Sequence, residues 1–139
     1  MTESDLQTIE ERLSLTLPGA YRATMLHYPL PPESFGTEAM LPDTVEAILD
    51  LNMDDMAMDG VLSPFFIGSD LGEECYFLDA SRADSPVYVY QLESGKHQVL
   101  DATMAQYIDR IRRDDAEAAA DDAAAEMRHL NRKWWEFWK

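Results

Sequence analysis

The sequence predicts an α+β domain: a mainly antiparallel sheet with helices packed against it, an N-terminal helical pair and a long C-terminal helix. Three observations carry this expectation. Apolar residues recur at helical spacing towards both ends of the chain. Between them, "PFFIG", "CYFLD", "PVYVYQL" and "KHQVL" are short runs rich in aromatic and β-branched residues. Gly, Asp and Ser separate those runs. A chain of 139 residues with 46% hydrophobic content is a natural single domain, long enough to bury roughly two-thirds of its unfolded surface in one core.

"SDLQTIEERLSLTLP" reads as a helix with Ser4 as N-cap; Leu6, Ile9 and Leu13 share one side and Glu10 and Glu11 the other. Pro18 restricts Leu17 and ends this helix, and it fits the first turn of the next, "PGAYRATMLHY". There Tyr21, Met25 and Tyr28 form a stripe with Leu26 beside them. "PLPPESFG" is read as loop, because three prolines and a glycine leave no room for a continuing helix. "PDTVEAILDLNMDD" starts a third helix at Pro42 and Asp43, with Val45, Ile48, Leu49 and Met53 at helical spacing.

Strand alternation sets Cys75 and Phe77 against Tyr76 and Leu78, and Val87 and Val89 against Tyr88, Tyr90 and Leu92. Apolar residues on both faces mark these two as central strands. "DATMAQYIDRIRR" is a helix capped by Asp101 or Thr103, with Met104, Tyr107, Ile108 and Ile111 facing inward. The expected organisation is a domain over residues 1–112 and a helical extension over 113–139 with a Trp-rich end.

Of the formal charge of −16, all sits on residues 1–109, which hold 20 acidic and 4 basic groups; residues 110–139 hold 7 of each. Such a surface repels nucleic acid, whose binding needs clustered Lys and Arg. It attracts a basic protein and speeds encounter with it, although acidic surfaces also serve solubility alone. A single cysteine, Cys75, cannot form an internal disulfide, and "MTESDLQTIEERL" lacks the basic and apolar stretches of a secretory signal. The expected location is the cytoplasm.

Local chemistry is sparse. "DMAMDG", Asp55 to Gly60, begins like a calcium loop, but Ala57 and Phe66 occupy ligand positions three and twelve. Gly68 and Gly72 precede strand-like residues, stand among carboxylates and have no lysine nearby, which rules against a phosphate loop. Cys75 needs a base to act as a nucleophile, and His27, His97 and His129 are scattered; a small packed side chain is the plainer reading. Asp70, Glu73, Glu74 and Asp79 are read as a solvated turn rather than an acid–base pair. Neither a metal nor a cofactor is expected.

Other motifs carry a family resemblance. "IEERLSLTLPGAYRATML", with Glu10 or Glu11, Leu17, Pro18 and Tyr21, resembles the opening of the SUKH superfamily. "FFIGSDLGEECYFLD" resembles the family's strand, G-D-x-G turn and returning strand, and "PVYVY" its next strand. "DATMAQYIDRI" is similar to the closing helix, with Thr103 and Met104 where the family often has Ser-Phe. The likeness covers about residues 5–112; "PLPPESFG" replaces a common "NG", and the tail falls outside the pattern. The resemblance implies a non-catalytic binding module, an α+β domain of the kind found in bacterial immunity proteins that neutralise a cognate toxin, often a nuclease, or in regulators of cell-wall assembly.

The resulting expectation is an immunity protein that masks a basic toxin through Asp54, Asp55, Asp59, Asp70, Glu73 and Glu74, all acidic and placed in loops. The alternative is a regulatory or scaffolding module acting through its tail. Met127, Leu130, Trp134, Trp135 and Trp138 give that tail an apolar interface, which packs on the domain, pairs with a second copy or docks a partner. A membrane is the less favoured target, since basic residues are few there.

Overall fold

The structure, a computed structural model, describes residues 1–54 and 58–117. Helices α1 (Glu3–Leu13), α2 (Gly19–Leu26) and α3 (Val45–Leu51) precede strands β1 (Pro64–Ser69), β2 (Glu74–Asp79), β3 (Val87–Gln91) and β4 (His97–Asp101). Helix α4 follows over residues 104–117. The strands form one antiparallel sheet in the order β1-β2-β3-β4, so the α+β class holds, and β2 and β3 are the central strands.

Helix α1 begins two residues earlier than its sequence suggests. Thr2, not Ser4, is the cap: its hydroxyl accepts from the Asp5 N–H while the Asp5 carboxylate accepts from the Thr2 N–H, a reciprocal box that satisfies two orphan donors. Leu6 and Ile9 are fully buried. Glu10 is not on a solvated side. Its carboxylate accepts from the Leu17 N–H at 2.9 Å and from Arg22 at 2.5 Å, and Arg22 also pairs with Glu3, so the three residues fasten α1 to α2. Pro18 stands just before α2 rather than in its first turn, and the helix ends at Leu26, before Tyr28. Helix α3 is likewise shorter than its sequence pattern; Thr44 caps it and Met53 lies beyond its end, exposed.

The segment read as featureless loop leads into a π-helical turn, Gly36–Met40. Its carbonyl end presses on the sheet, at Gly68. A Cβ on Gly68 would lie 1.9 Å from the Met40 carbonyl oxygen. Gly68 is therefore a strand residue that admits another backbone, not a turn glycine. The ladder shifts between Phe66 and Gly68, leaving Ile67 as an extra residue that bends β1.

One face of the sheet, the inner face, carries Phe65, Ile67, Tyr76, Leu78, Val87 and Val89 into a core with Leu6, Ile9, Tyr21, Met25, Ile48, Met104, Tyr107 and Ile111. The Tyr107 hydroxyl donates to the Met40 carbonyl, and burial pushes that phenol's pKa well up. Tyr28 donates to the Leu41 carbonyl and Thr37 and, chiefly through burial, is pushed up to about 12. Of the two caps expected for α4, Asp101 and Thr103, it is Thr103 that accepts from the Gln106 N–H, at 3.2 Å. Asp101 serves instead in a paired contact, its two oxygens accepting from Arg110 Nε and Nη2 at 2.9 and 3.0 Å. This ties β4 to α4.

β1 is an edge strand, and its outward backbone at Phe66 is met by a side chain. Asn52 Nδ2 donates to the Phe66 carbonyl at 2.9 Å while Asn52 Oδ1 accepts from the Phe66 N–H at 2.8 Å. The amide thus imitates a neighbouring strand and blunts the edge. Asn52→Ala is expected to cost about 1–3 kcal/mol, the penalty for leaving such groups unpaired. Urea unfolding would measure it, and a wild-type midpoint would exclude this role for Asn52.

Candidate functional site

Among the described residues, the second face of the sheet is only partly covered. Phe66, Phe77 and Tyr88 lie in register across β1 to β3, with ring centroids 5.4 Å apart for Phe66–Phe77 and 4.9 Å for the stacked Phe77–Tyr88, and Val99 of β4 continues the row; His97, opposite Tyr90, lies diagonally, its ring 6.3 Å from that of Tyr88. Over β1 and β2, Val61 buries Phe66 and Phe77 with help from Leu51 and Met58. Over β3 and β4, Tyr88, Tyr90 and His97 are half-buried and Val99 is 55% exposed. Alternation had placed Tyr88 and Tyr90 on one face, but the residues that cover only half of that face come from a distant loop.

At one end of the sheet the β1–β2 and β3–β4 turns form a cleft of about 190 Å³ lined by Glu73, Glu74, Gln91, Glu93 and Ser94, with Glu74 and Gln91 on the face that carries Tyr76 and Val89. The β2–β3 pairing sets Glu74 opposite Gln91, and the Leu92 N–H donates to the Glu73 carbonyl at 2.9 Å. These contacts bring Glu93, which the sequence reading did not select, next to Glu73 and Glu74. Its signal was available only through strand register.

The other acidic candidates fare differently. Asp70 is occupied in building the β1–β2 turn: its Oδ1 accepts from the Gly72 and Glu74 N–H groups at 2.9 and 3.0 Å, as short Asx side chains do in turns. The left-handed residue of that turn is Leu71, with φ 62°, not Gly72. Glu74 is half-buried and accepts from the Tyr76 hydroxyl at 3.3 Å. Glu73 is exposed. Asp54 and Asp59 are exposed in the loop between α3 and β1 and do not line the cleft. Asp55 lies outside the described residues, as do Met127, Leu130, Trp134, Trp135 and Trp138.

Asp79 does not belong to a solvated turn. It is 3% exposed and accepts from the Ser63 N–H at 3.2 Å and from the Ser81 N–H and hydroxyl at 3.0 and 2.5 Å. Burial alone would raise its pKa, but the hydrogen bonds from Ser81, Ser63 and Leu62 outweigh it and hold the carboxyl below its ordinary value. Cys75 packs against the Phe66–Phe77 cluster, and burial pushes its thiol up despite a hydrogen bond with Ser69. A raised thiol pKa reduces the thiolate available for nucleophilic attack.

Among the described residues, no three His, Cys, Asp or Glu side chains gather where a metal is held, and no helix is long and apolar enough to cross a membrane. No protein-family model, curated protein or solved structure matches the chain.

Proposed function

We propose that this chain is a non-catalytic binding protein of the SUKH kind, an immunity protein that neutralises a basic toxin, such as a nuclease, by masking it with an acidic surface. The observation that carries the reading is the charge distribution: residues 1–109 hold 20 acidic groups against 4 basic. Of these acids, Asp79 and Asp101 are buried and Asp70 is committed to its turn. Asp54, Asp59 and Glu73 stay exposed in loops, where carboxylates steer a cationic partner and speed its encounter. The order of helices and strands supports the family likeness, since it follows the motifs on which that likeness rests.

The test is a pull-down of the neighbouring reading frame's product by the full chain and by a variant carrying Asp54→Lys, Asp59→Lys and Glu73→Lys. The wild type is expected to retain the product, and the reversed variant to bind about tenfold or more weakly, as when charges across an interface are inverted. Equal retention by both removes the electrostatic mechanism; no retention by the wild type removes that partner.

A further inference from the structure

We propose that the C-terminal segment of this chain, residues 127–139, docks on its own domain at the loop of residues 31–35. Its tryptophans cover Phe35 and the two prolines, and its cations meet the carboxylates beside them. The inference is independent of the toxin-binding reading, since it concerns the chain alone. It tells against the tail as a free arm that recruits a partner.

The loop is a built surface rather than slack chain. The Pro31 carbonyl accepts from the Ser34 and Thr37 hydroxyls at 2.9 and 2.7 Å, and the proline rings fix the backbone leading to it. Leu30 is buried and anchors the loop from below. Among the described residues Pro31 and Pro32 are exposed and Phe35 is 46% exposed. A pre-ordered apolar patch costs little to bind, and tryptophan covers such rings with a large contact area.

Chain continuity names the occupant. The end of α4 lies against this loop: Arg112 Nη2 donates to the Pro29 carbonyl at 3.2 Å. A Cβ on Gly36, the residue after Phe35, would meet Ile111 Cγ2 at 2.5 Å and Asp115 Oδ2 at 3.0 Å. The chain therefore leaves the described part of the domain beside Phe35, with residues 118–139 still to follow. From Glu117 to Trp134 the reach is about 25 Å as helix and about 55 Å extended, ample for either path. A tether this short holds the segment at an effective concentration in the millimolar range, with which a separate dilute molecule competes poorly.

Charge matches as well. Residues 127–139 hold Arg128, Arg132, Lys133 and Lys139 against Glu136. The loop and the π-turn after it present Glu33 and Glu38, both exposed, and no basic residue. The nearby Arg112 and Arg113 donate to the carbonyls of Pro29 and Asp109. Asp115 adds an acceptor, since its Oδ2 is buried and has no donor among the described residues. An unpaired buried oxygen is costly, and an arginine, a lysine or an indole N–H supplies the donor. The apolar patch, the carboxylates and the unpaired oxygen thus fit a cationic, Trp-rich segment joined to the same helix.

The three tryptophans of the chain, Trp134, Trp135 and Trp138, all lie in this segment, so tryptophan fluorescence of the full chain reads its surroundings alone. Each protein is measured in its native baseline, below the urea transition. Wild-type emission is expected well to the blue of the urea-unfolded value and unchanged on dilution. Phe35→Ser, and separately Glu33→Lys with Glu38→Lys, are expected to move it most of the way to the unfolded value. Leu62→Ser, at a leucine that is 87% exposed elsewhere on the domain, is expected to leave it in place. Wild-type emission already at the unfolded value, or emission unmoved by both loop variants, would overturn the proposal. So would blue emission lost on dilution of a sedimenting dimer, which assigns the segment to a second copy, or a blue shift that arises only with anionic phospholipid vesicles, which assigns it to a membrane. The pull-down of a basic product decides the toxin-binding reading separately, whichever way the fluorescence falls.

Discussion

Gly68→Ala is expected to destabilise the domain by about 3 kcal/mol or more, at the upper end of the usual cost of forcing an atom into a filled core. The added Cβ would stand 1.9 Å from the Met40 carbonyl oxygen, 2.4 Å from its carbon and 3.0 Å from the Ala39 oxygen. These are backbone atoms, so no side-chain rotation relieves the overlap. Moving the π-turn away from β1 would draw the Met40 carbonyl from the Tyr107 hydroxyl, and Tyr107 is fully buried, where a lost hydrogen bond is expensive. Gly72→Ala serves as the control. Its Cβ would meet only Asp70 Oδ1 at 3.6 Å, and its φ lies outside the left-handed region, so its unfolding midpoint is expected to stay near wild type. Chemical denaturation of both variants decides the matter; equal midpoints would show that the π-turn does not bear on Gly68. Against a total stability of about 5–15 kcal/mol, the expected loss is readily measured.

The contrast between these glycines marks what the sequence makes legible. Local periodicity finds α1, the four strands and the inward side of α4, because each is set by spacing within its own segment. The split of Val87 and Val89 from Tyr88 and Tyr90 follows from strand geometry alone, and both valines are buried. What fails is whatever a second segment decides. Gly68 and Gly72 are both glycines near a turn, but the reason for one is Met40, 28 positions away in the chain. Glu10 reads as a solvent-facing helical residue until Leu17 and Arg22 fold over it. Asn52 sits in a polar stretch that gives no hint of a strand edge.

The candidate site divides in the same way. Sequence picks out acidic loop residues by type and place, and Asp54, Asp59 and Glu73 are indeed exposed. It cannot separate them from Asp70, whose carboxylate is spent on two N–H groups of its own turn. It misses Glu93 because the cleft exists only when the β1–β2 and β3–β4 turns lie side by side. The partly covered aromatic face has the same origin: strand alternation supplies the rings, and among the described residues the reach of the Val61 loop decides which of them are buried.

Asp79 gives the second large effect and the clearest pH signature. Asp79→Ala is expected to cost about 3 kcal/mol at neutral pH, because it leaves the Ser63 and Ser81 donors unpaired in a buried place where charge-assisted hydrogen bonds had satisfied them. Asp79→Asn keeps the volume and one acceptor oxygen, so its loss is expected to be smaller. The sign of the pH dependence follows from the lowered pKa of the folded carboxyl. Below the folded value both states are protonated and the charge contributes nothing. Above the unfolded value of about 4, both are ionised and the contribution is complete. Between the two, the unfolded chain binds the proton more readily, so stability rises with pH. The gap in unfolding free energy between the wild type and Asp79→Asn is therefore expected to be widest at pH 7 and to narrow as pH falls below about 4. Paired urea titrations at pH 7, 4 and 3 cancel the slope common to the other carboxylates and isolate this one. A gap that stays constant across that range would show that the Asp79 charge is not what holds Ser63 and Ser81 at the end of β2.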